Sequence, residues 1–186
     1  MSNEKKNIIA FYGKAGSGKD TAAMYLNTKL DNSIVLAFAS ALKYSLTLLG
    51  WDGEKDKAGR YLLQNLSPVI KEYHNLLVEE GKEEQYFKDD YYAKFLYDLI
   101  KKTGTSKYFI ISDLRFQEEL KLLKLENCIT IKVVRDNYSA ITDKKQLADK
   151  SENDLNDIIP DFTIYNTGSL SELYTEIDNI VNKMKF

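Results

Sequence analysis

Runs of apolar residues recur along the chain at lengths that suit β-strands. Each run is almost continuously apolar rather than strictly alternating, which is typical of strands whose two faces are both covered by helices. Such strands belong to parallel sheets. The pattern predicts five of them, at residues 7–12, 33–39, 107–112, 128–134 and 162–166.

Helical stretches lie between these predicted strands. Residues 19–30 follow a glycine-rich stretch, residues 115–125 separate the third and fourth apolar runs, and residues 170–184 carry apolar side chains along one face. The alternation of strands and helices predicts an α/β fold. We expect a three-layer sandwich with a five-stranded parallel sheet and right-handed crossovers.

The connection between the second and third predicted strands, residues 40–106, is much longer than the others. A connection of this length usually carries function, and we interpret it as a helical substrate-binding insertion within a single domain, residues 1–186. Its pattern predicts helices at about 41–49, 60–80 and 88–102, with a polar loop at 50–59.

A second polar segment, residues 136–153, follows the fourth predicted strand and carries Lys144, Lys145 and Lys150. Its composition suits a mobile lid that closes over phosphates and excludes water. A solvated loop is the alternative interpretation.

Composition narrows the classes of function. The chain has 186 residues, a formal net charge of −2 and a single cysteine, Cys128. There is no strongly basic field for a nucleic-acid polymer, and one cysteine excludes an intramolecular disulfide. No apolar run is long enough for a membrane span or a signal peptide, so we expect a cytoplasmic protein.

The stretch GKAGSGKDT, residues 13–21, has the spacing of a phosphate-binding loop, and it lies between a predicted strand and a predicted helix. Its glycines would let backbone N–H groups converge on phosphates at a helix N-terminus. The position that usually carries a Mg²⁺-binding hydroxyl holds Asp20 instead. We therefore expect a nucleotide to contact Gly13, Lys14, Ala15, Gly16, Ser17, Gly18, Lys19, Asp20 and Thr21.

The third and fourth predicted strands end in polar residues at the sheet edge where ligands bind in such folds. Asp113 is a candidate Mg²⁺ ligand, with a cap of the following helix as the alternative. Arg115 would open that helix, where the helix dipole disfavours a cation; a binding role offsets this cost. Arg135 follows the fourth strand. Lys19, Asp113, Arg115 and Arg135 are the predicted catalytic residues, and Asp20, Thr21 and Asp113 the predicted metal ligands.

The insertion supplies further candidates. Lys43 follows the second strand, and Arg60 and Gln64 lie one helical turn apart. We expect them, with Arg115, to bind an anionic acceptor, although Lys43, Arg60 and Gln64, each taken alone, are more often surface residues. The aromatic and aliphatic residues of 90–100 recur at helical spacing, which indicates core packing rather than base stacking.

The order of these motifs resembles the deoxynucleoside monophosphate kinases of bacteriophages over nearly the whole chain. The resemblance rests on GSGKDTAA, FASALKYSL, RYLLQNL, SDLRFQEE, VVRD, ADKSENDL and NTGSLSEL. It explains Asp20, which this family carries, and departs from the family where a histidine is missing before Ser151-Glu152 and where the insertion is short.

The resemblance implies a P-loop kinase fold that transfers the γ-phosphate of ATP, with Mg²⁺, to a deoxynucleoside monophosphate. The resemblance also implies that the protein can assemble as a homodimer. Another small-molecule P-loop kinase, of the phosphomevalonate or dephospho-coenzyme A kinase type, is the nearest alternative. A nucleotide-dependent switch protein is the alternative from a different class.

Overall fold

In the computed structural model, the described residues are 5–54, 56–82, 91–103, 106–135 and 150–184. Five strands form one parallel sheet in the order β2-β3-β1-β4-β5, which confirms the predicted fold class. The strands are β1 (Asn7–Tyr12), β2 (Ser33–Leu36), β3 (Tyr108–Ile111), β4 (Asn127–Val134) and β5 (Phe162–Tyr165).

Among the described residues, every helix except the single turn at Lys150–Asn153, which falls in the predicted lid, lies close to a predicted range. The helices are α1 (Lys19–Lys29), α2 (Ser40–Leu48), α3 (Lys57–Glu79), α4 (Tyr91–Lys102), α5 (Gln117–Leu123), the single turn α6 (Lys150–Asn153) and α7 (Leu170–Val181). Helix α3 begins earlier than expected because the Asp56 carboxylate caps it, accepting a hydrogen bond from the Gly59 N–H at 2.8 Å. The predicted loop at 50–59 is correspondingly shorter.

The chain divides into two compact units. The first comprises Met1–Ala37 and Ile100–Phe186 and holds the sheet, and the second comprises Phe38–Leu99. None of the helices in the described part of the chain has an apolar stretch that could cross a membrane.

The core of the first unit lies against the sheet. On one face, side chains of β1, β3, β4 and β5 pack with α1 and α7 into a cluster that includes Phe11, Ile131, Leu26 and Ile177. Strand residues that alternate with these, such as Ile8 and Phe109, are also fully buried. Burial on both faces explains why the strands are continuously apolar in sequence.

The parallel register brings the carboxyl ends of three strands together. Strand β1 is central, and it pairs with β3 on one side and β4 on the other. The segments that follow these strands therefore leave the sheet at one edge. That edge carries the glycine-rich loop, Asp113 and Arg135.

Candidate functional site

The glycine-rich loop connects β1 to α1, and its glycines meet specific steric demands. Gly13 has a φ of 140°, and a Cβ there would lie 2.2 Å from the Val133 carbonyl oxygen. Gly18 has a φ of 102°, and a Cβ there would lie 2.5 Å from Nδ2 of Asn166. Both positions require glycine because the backbone is left-handed and the neighbouring chain is close.

The N-terminus of α1 has no side-chain cap, because its N-cap residue is Gly18. The first N–H groups of a helix have no partner within the helix and carry its positive dipole end. In the same loop, the Ser17 hydroxyl is buried without a hydrogen-bond partner among the described residues. The glycine-rich loop, the uncapped start of α1 and the buried Ser17 hydroxyl together form a binding site for an anion, which is called the cradle below. Such a site fits phosphate groups.

Lys19 lies inside this cradle. Its side chain is 8% exposed, and Nζ donates a hydrogen bond to the Lys14 carbonyl oxygen at 2.8 Å. Burial, and then the positive charge of Arg115, lower the pKa of Lys19, whereas the charges of Asp20, Glu152 and Asp113 oppose the shift. Burial thus makes the charged form of Lys19 less stable than it is in water, and a negative ligand would offset that cost.

The strands β3 and β4 flank β1. Asp113 and Arg115 follow β3 and Arg135 follows β4, so they lie at the same edge of the sheet as the loop. The N–H of Leu114 donates to the Phe11 carbonyl oxygen at 3.2 Å, which holds the β3 exit against β1. Arg115 is linked to the loop through the Glu152 carboxylate, which accepts from the guanidinium of Arg115 and from the Ala15 N–H.

One expectation about this segment, the start of its helix, is wrong. Helix α5 begins at Gln117 rather than at residue 115, so Arg115 lies just ahead of the helix start instead of opening the helix. The N-cap residue of α5 is Phe116, which does not favour the alternative interpretation of Asp113 as the cap. The Glu119 carboxylate accepts hydrogen bonds from the N–H groups of Arg115 and Phe116, at 2.8 and 3.0 Å. The start of α5 is therefore held by Glu119 of its own first turn and by the Asp154 carboxylate, which accepts from the Gln117 N–H at 2.8 Å.

A cavity of about 260 Å³ adjoins the first residues of the loop. Four of its lining residues are cationic and one is a carboxylate, so it favours an anionic ligand. The lining residues are Tyr12, Gly13, Lys14, Leu114, Arg115, Lys132, Val133, Val134, Arg135, Glu152, Leu155 and Asn156. The structure thus brings Arg135 to the same cavity as Lys14 and Arg115.

Glu152 is a site residue that the sequence analysis did not predict. Its carboxylate accepts from the Ala15 N–H at 2.9 Å and from Nη1 of Arg115 at 3.0 Å. The Lys14 ammonium donates to the Glu152 carbonyl oxygen and to Oδ1 of Asn153. The motif ADKSENDL, which contributes to the family resemblance, was the only signal for it.

Asn166 was missed as well. Its side-chain amide donates to the Ser17 carbonyl oxygen at 2.8 Å, so the end of β5 supports the phosphate loop. The available signal was again a motif of the resemblance, NTGSLSEL, and no local pattern assigned the asparagine a role.

The Mg²⁺ candidates lie around the loop. Asp20 and Thr21 are exposed in the first turn of α1, and Asp113 is half-buried. Among the described residues, no three His, Cys, Asp or Glu side chains cluster as a self-contained metal site. The two carboxylates and one hydroxyl of Asp20, Asp113 and Thr21 suit Mg²⁺, because proteins usually hold this ion through one or two carboxylates together with substrate phosphates.

The predicted acceptor residues of the insertion belong to the second unit. Lys43 lies on α2, and Arg60 and Gln64 lie one turn apart on α3. Lys144 and Lys145 of the predicted lid lie outside the described residues, as do residues 136–149 in general.

The aromatic residues of α4 mainly pack within the protein. Tyr92 and Leu96 are buried, as predicted for a core stripe, whereas Phe95 is 41% exposed. The Tyr91 ring stacks on the His74 imidazole with centroids 3.7 Å apart. One face of Tyr91 is therefore already occupied by a protein side chain.

Comparison with known proteins establishes the fold. No protein-family model and no curated sequence matches the chain, and the phage-type family stays a prediction. Shikimate kinase from Aquifex aeolicus matches with a TM-score of 0.51 at 13% identity, over 95% of this chain and 96% of that chain. Thymidylate kinase from Candida albicans matches with a TM-score of 0.52 at 14% identity, over 98% and 93%. The chain has the fold of these P-loop kinases.

Proposed function

We propose that the protein is a kinase that transfers the γ-phosphate of ATP to a deoxynucleoside 5′-monophosphate, releasing ADP and the deoxynucleoside diphosphate. The observation that carries this proposal is the pairing of two cationic features at one sheet edge. The uncapped start of α1 with buried Lys19 suits the donor phosphates. The adjoining cavity, with Arg115 and Arg135, suits a further anionic group.

The chemistry asks little of the protein beyond binding and charge neutralisation. An acceptor phosphate monoester has a second pKa of about 6, so at neutral pH it is already largely an ionised nucleophile. No general base is required. Phosphoryl transfer instead needs two polyanions held in line with their charge offset. Lys19, Arg115 and Arg135 supply that charge, and the backbone N–H groups at the start of α1 orient the donor phosphates.

Mg²⁺ is part of the proposal, with Asp20, Thr21 and Asp113 as its protein-side ligands, direct or through water. When bound, the ion neutralises charge on the donor phosphates. Asp20 and Asp113 would otherwise repel those phosphates, so these carboxylates and the metal support each other. Lys14, Ala15, Gly16 and Ser17 complete the donor site.

The identity of the acceptor rests on the family resemblance and not on the fold. The two structural neighbours are named for different acceptors, shikimate and thymidylate, so this fold does not select one acceptor. The motifs shared with phage deoxynucleoside monophosphate kinases favour a deoxynucleotide. Lys43, Arg60 and Gln64 are proposed to bind its phosphate.

A coupled assay of ADP release tests the proposal. ATP and Mg²⁺ are supplied with each of the four deoxynucleoside monophosphates, the four ribonucleotides, phosphomevalonate, dephospho-coenzyme A, or no acceptor. We expect ADP release only with a deoxynucleoside monophosphate, together with the matching diphosphate on chromatography. ADP release that does not depend on an acceptor would indicate a hydrolytic switch. Release with one of the other acceptors would replace the substrate class.

A further inference from the structure

Glu152 joins two segments that the proposed function assigns to different tasks. Its side chain is 4% exposed. One carboxylate oxygen accepts from the backbone N–H of Ala15, in the phosphate loop, and the other accepts from the guanidinium of Arg115. Because each oxygen has a different partner, the carboxylate fixes the distance between the loop and the arginine.

The backbone around Glu152 is held independently of these two contacts. The Asp154 carboxylate accepts from the Gln117 N–H at 2.8 Å, and the Gln117 side-chain amide donates to the Asp154 carbonyl oxygen at 2.9 Å. Further along, the Tyr12 hydroxyl donates to the Ile158 carbonyl oxygen at 3.0 Å. The segment therefore has anchors that touch neither the phosphate loop nor Arg115.

Two roles for the carboxylate are physically distinct. As a resident anion, it would occupy a place that a phosphate later takes, and it would have to leave. As a positioning group, it would stay and keep its partners in place. Its burial and the independent anchors of its segment favour the second role, because a buried carboxylate that leaves both partners must find new ones.

We propose that Glu152 is a positioning residue that aligns the phosphate loop at Ala15 with the guanidinium of Arg115, an inference that rests on the proposed kinase function. Glu152 also lines the cavity, but both of its carboxylate oxygens already have protein partners, so it acts through the loop and the arginine rather than on a substrate. It sets where the donor-side loop and the acceptor-side arginine lie relative to each other, and in-line transfer is sensitive to that alignment.

The substitution Glu152→Gln tests this with little change of shape. Glutamine has one acceptor oxygen, so it can serve the Ala15 N–H or Arg115 but not both, and its amide donor then faces another donor. Asp154→Asn is the matched control, because it weakens an anchor of the same segment without touching the loop or Arg115. Hydrogen–deuterium exchange of residues 13–19 in the free protein, ATP affinity and steady-state kinetics are measured for each variant.

We expect Glu152→Gln to lower kcat/KM about 10- to 100-fold, mainly through kcat, as the loss of a charged hydrogen bond does. Amide exchange of residues 13–19 should become about 10-fold faster, and the dissociation constant of ATP should stay within about threefold of the wild type. Asp154→Asn should leave exchange in the loop and kcat/KM within about twofold. Arg115→Lys combined with Glu152→Gln should be no worse than the poorer single variant, since either change alone already breaks the contact.

Two results would overturn the proposal. Loop exchange that is equal in Glu152→Gln and Asp154→Asn would make Glu152 an ordinary structural contact. Tighter ATP binding by Glu152→Gln would make it a resident anion that phosphate displaces. If Glu152→Gln does not fold, Glu152→Asp, which keeps the charge but shortens the reach, decides between the same outcomes. Because exchange is measured without substrates, a wild type that transfers no phosphate refutes the kinase proposal and leaves this test intact.

Discussion

Helices α1 and α7 pack against each other on one face of the sheet and each follows a parallel strand, yet they begin in opposite ways. The Ser169 hydroxyl caps α7 by accepting from the Glu172 N–H at 3.3 Å, and the Glu172 carboxylate accepts from the Ser169 N–H in return. The Glu172 carboxylate accepts hydrogen bonds from the Ser169 N–H and, at 2.9 Å, from the Ser169 hydroxyl, and these two bonds, the first more strongly, lower the pKa of Glu172. Helix α1 begins at Gly18 and has no such cap.

This difference separates a helix start that serves folding from one that can serve binding. A capping side chain typically stabilises a helix by about 1 kcal/mol, and α1 forgoes that contribution. It also places a left-handed glycine and a buried lysine at the uncapped end. An external anion is the partner that makes this arrangement favourable, and the following predictions test that interpretation.

The largest expected effect comes from removing the cation at the open end. Lys19→Ala should reduce phosphoryl transfer by about 10³-fold or more, because the transferring phosphate loses charge stabilisation in a dry site. Lys29→Ala, at the other end of the same helix and paired with Asp178 at 2.9 Å, is the control and should transfer normally. Turnover at saturating ATP is the measurement. Near-normal turnover of Lys19→Ala would show that the uncapped start of α1 does not take part in phosphoryl transfer.

A smaller but still large effect is expected from closing the cradle sterically. Gly18→Ala places a methyl group against the Asn166 amide and strains a φ of 102°, so ATP affinity should fall at least about 10-fold. Gly81→Ala is the matched control, since its φ is 69° with nothing within 4 Å of the added carbon. Both should lose thermal stability, but only Gly18→Ala should lose affinity in titration calorimetry. Equal ATP affinities of the two variants would mean that a methyl group at position 18 does not hinder ATP binding.

The sheet and most helix bounds were predictable because they depend on local pattern. Continuous apolar runs mark strands buried on both faces, and all five were found. The end of β2 was predicted too late, at residue 39, because apolar residues continue past the last ladder pair, Leu36 with Ile111. Apolar composition does not reveal where a neighbouring strand stops.

The phosphate loop was equally predictable, since its residues are contiguous. Glu152 and Asn166 were not, because their contacts with the loop join residues 137 and 149 positions apart. A glutamate in the polar stretch DKSENDL reads as solvated until the fold buries it. The helix boundary at Arg115 was misjudged for a related reason, because the N–H of Gln117, the first residue of α5, is bound by the Asp154 carboxylate, 37 positions away.

Asp20 lies in the first turn of α1, where an acidic side chain can either complement the helix dipole or bind Mg²⁺. The dipole role fits poorly, since bound phosphates use the same positive end and would repel the carboxylate. We therefore expect Asp20→Ser to remain active while the Mg²⁺ concentration for half-saturation shifts severalfold. A magnesium titration monitored by turnover decides this. An unchanged curve with a lower melting temperature would support the dipole role and make Thr21 the next residue to test.

The smallest effect is expected from removing the cap at the start of α7. Ser169→Ala removes the cap of α7, and the loss typical of such caps corresponds to a fall in melting temperature of about 1–5 °C for a chain of this size. In the described part of the chain, the side-chain hydrogen bonds of Ser169 and Glu172 join only these two residues, so the affinity for ATP should not change. Paired thermal melts with and without saturating ATP measure both quantities, because the ATP-induced rise in melting temperature reports binding. A Ser169→Ala protein whose ATP-induced rise is abolished would show that both helix starts serve the nucleotide, and the distinction between them would fail.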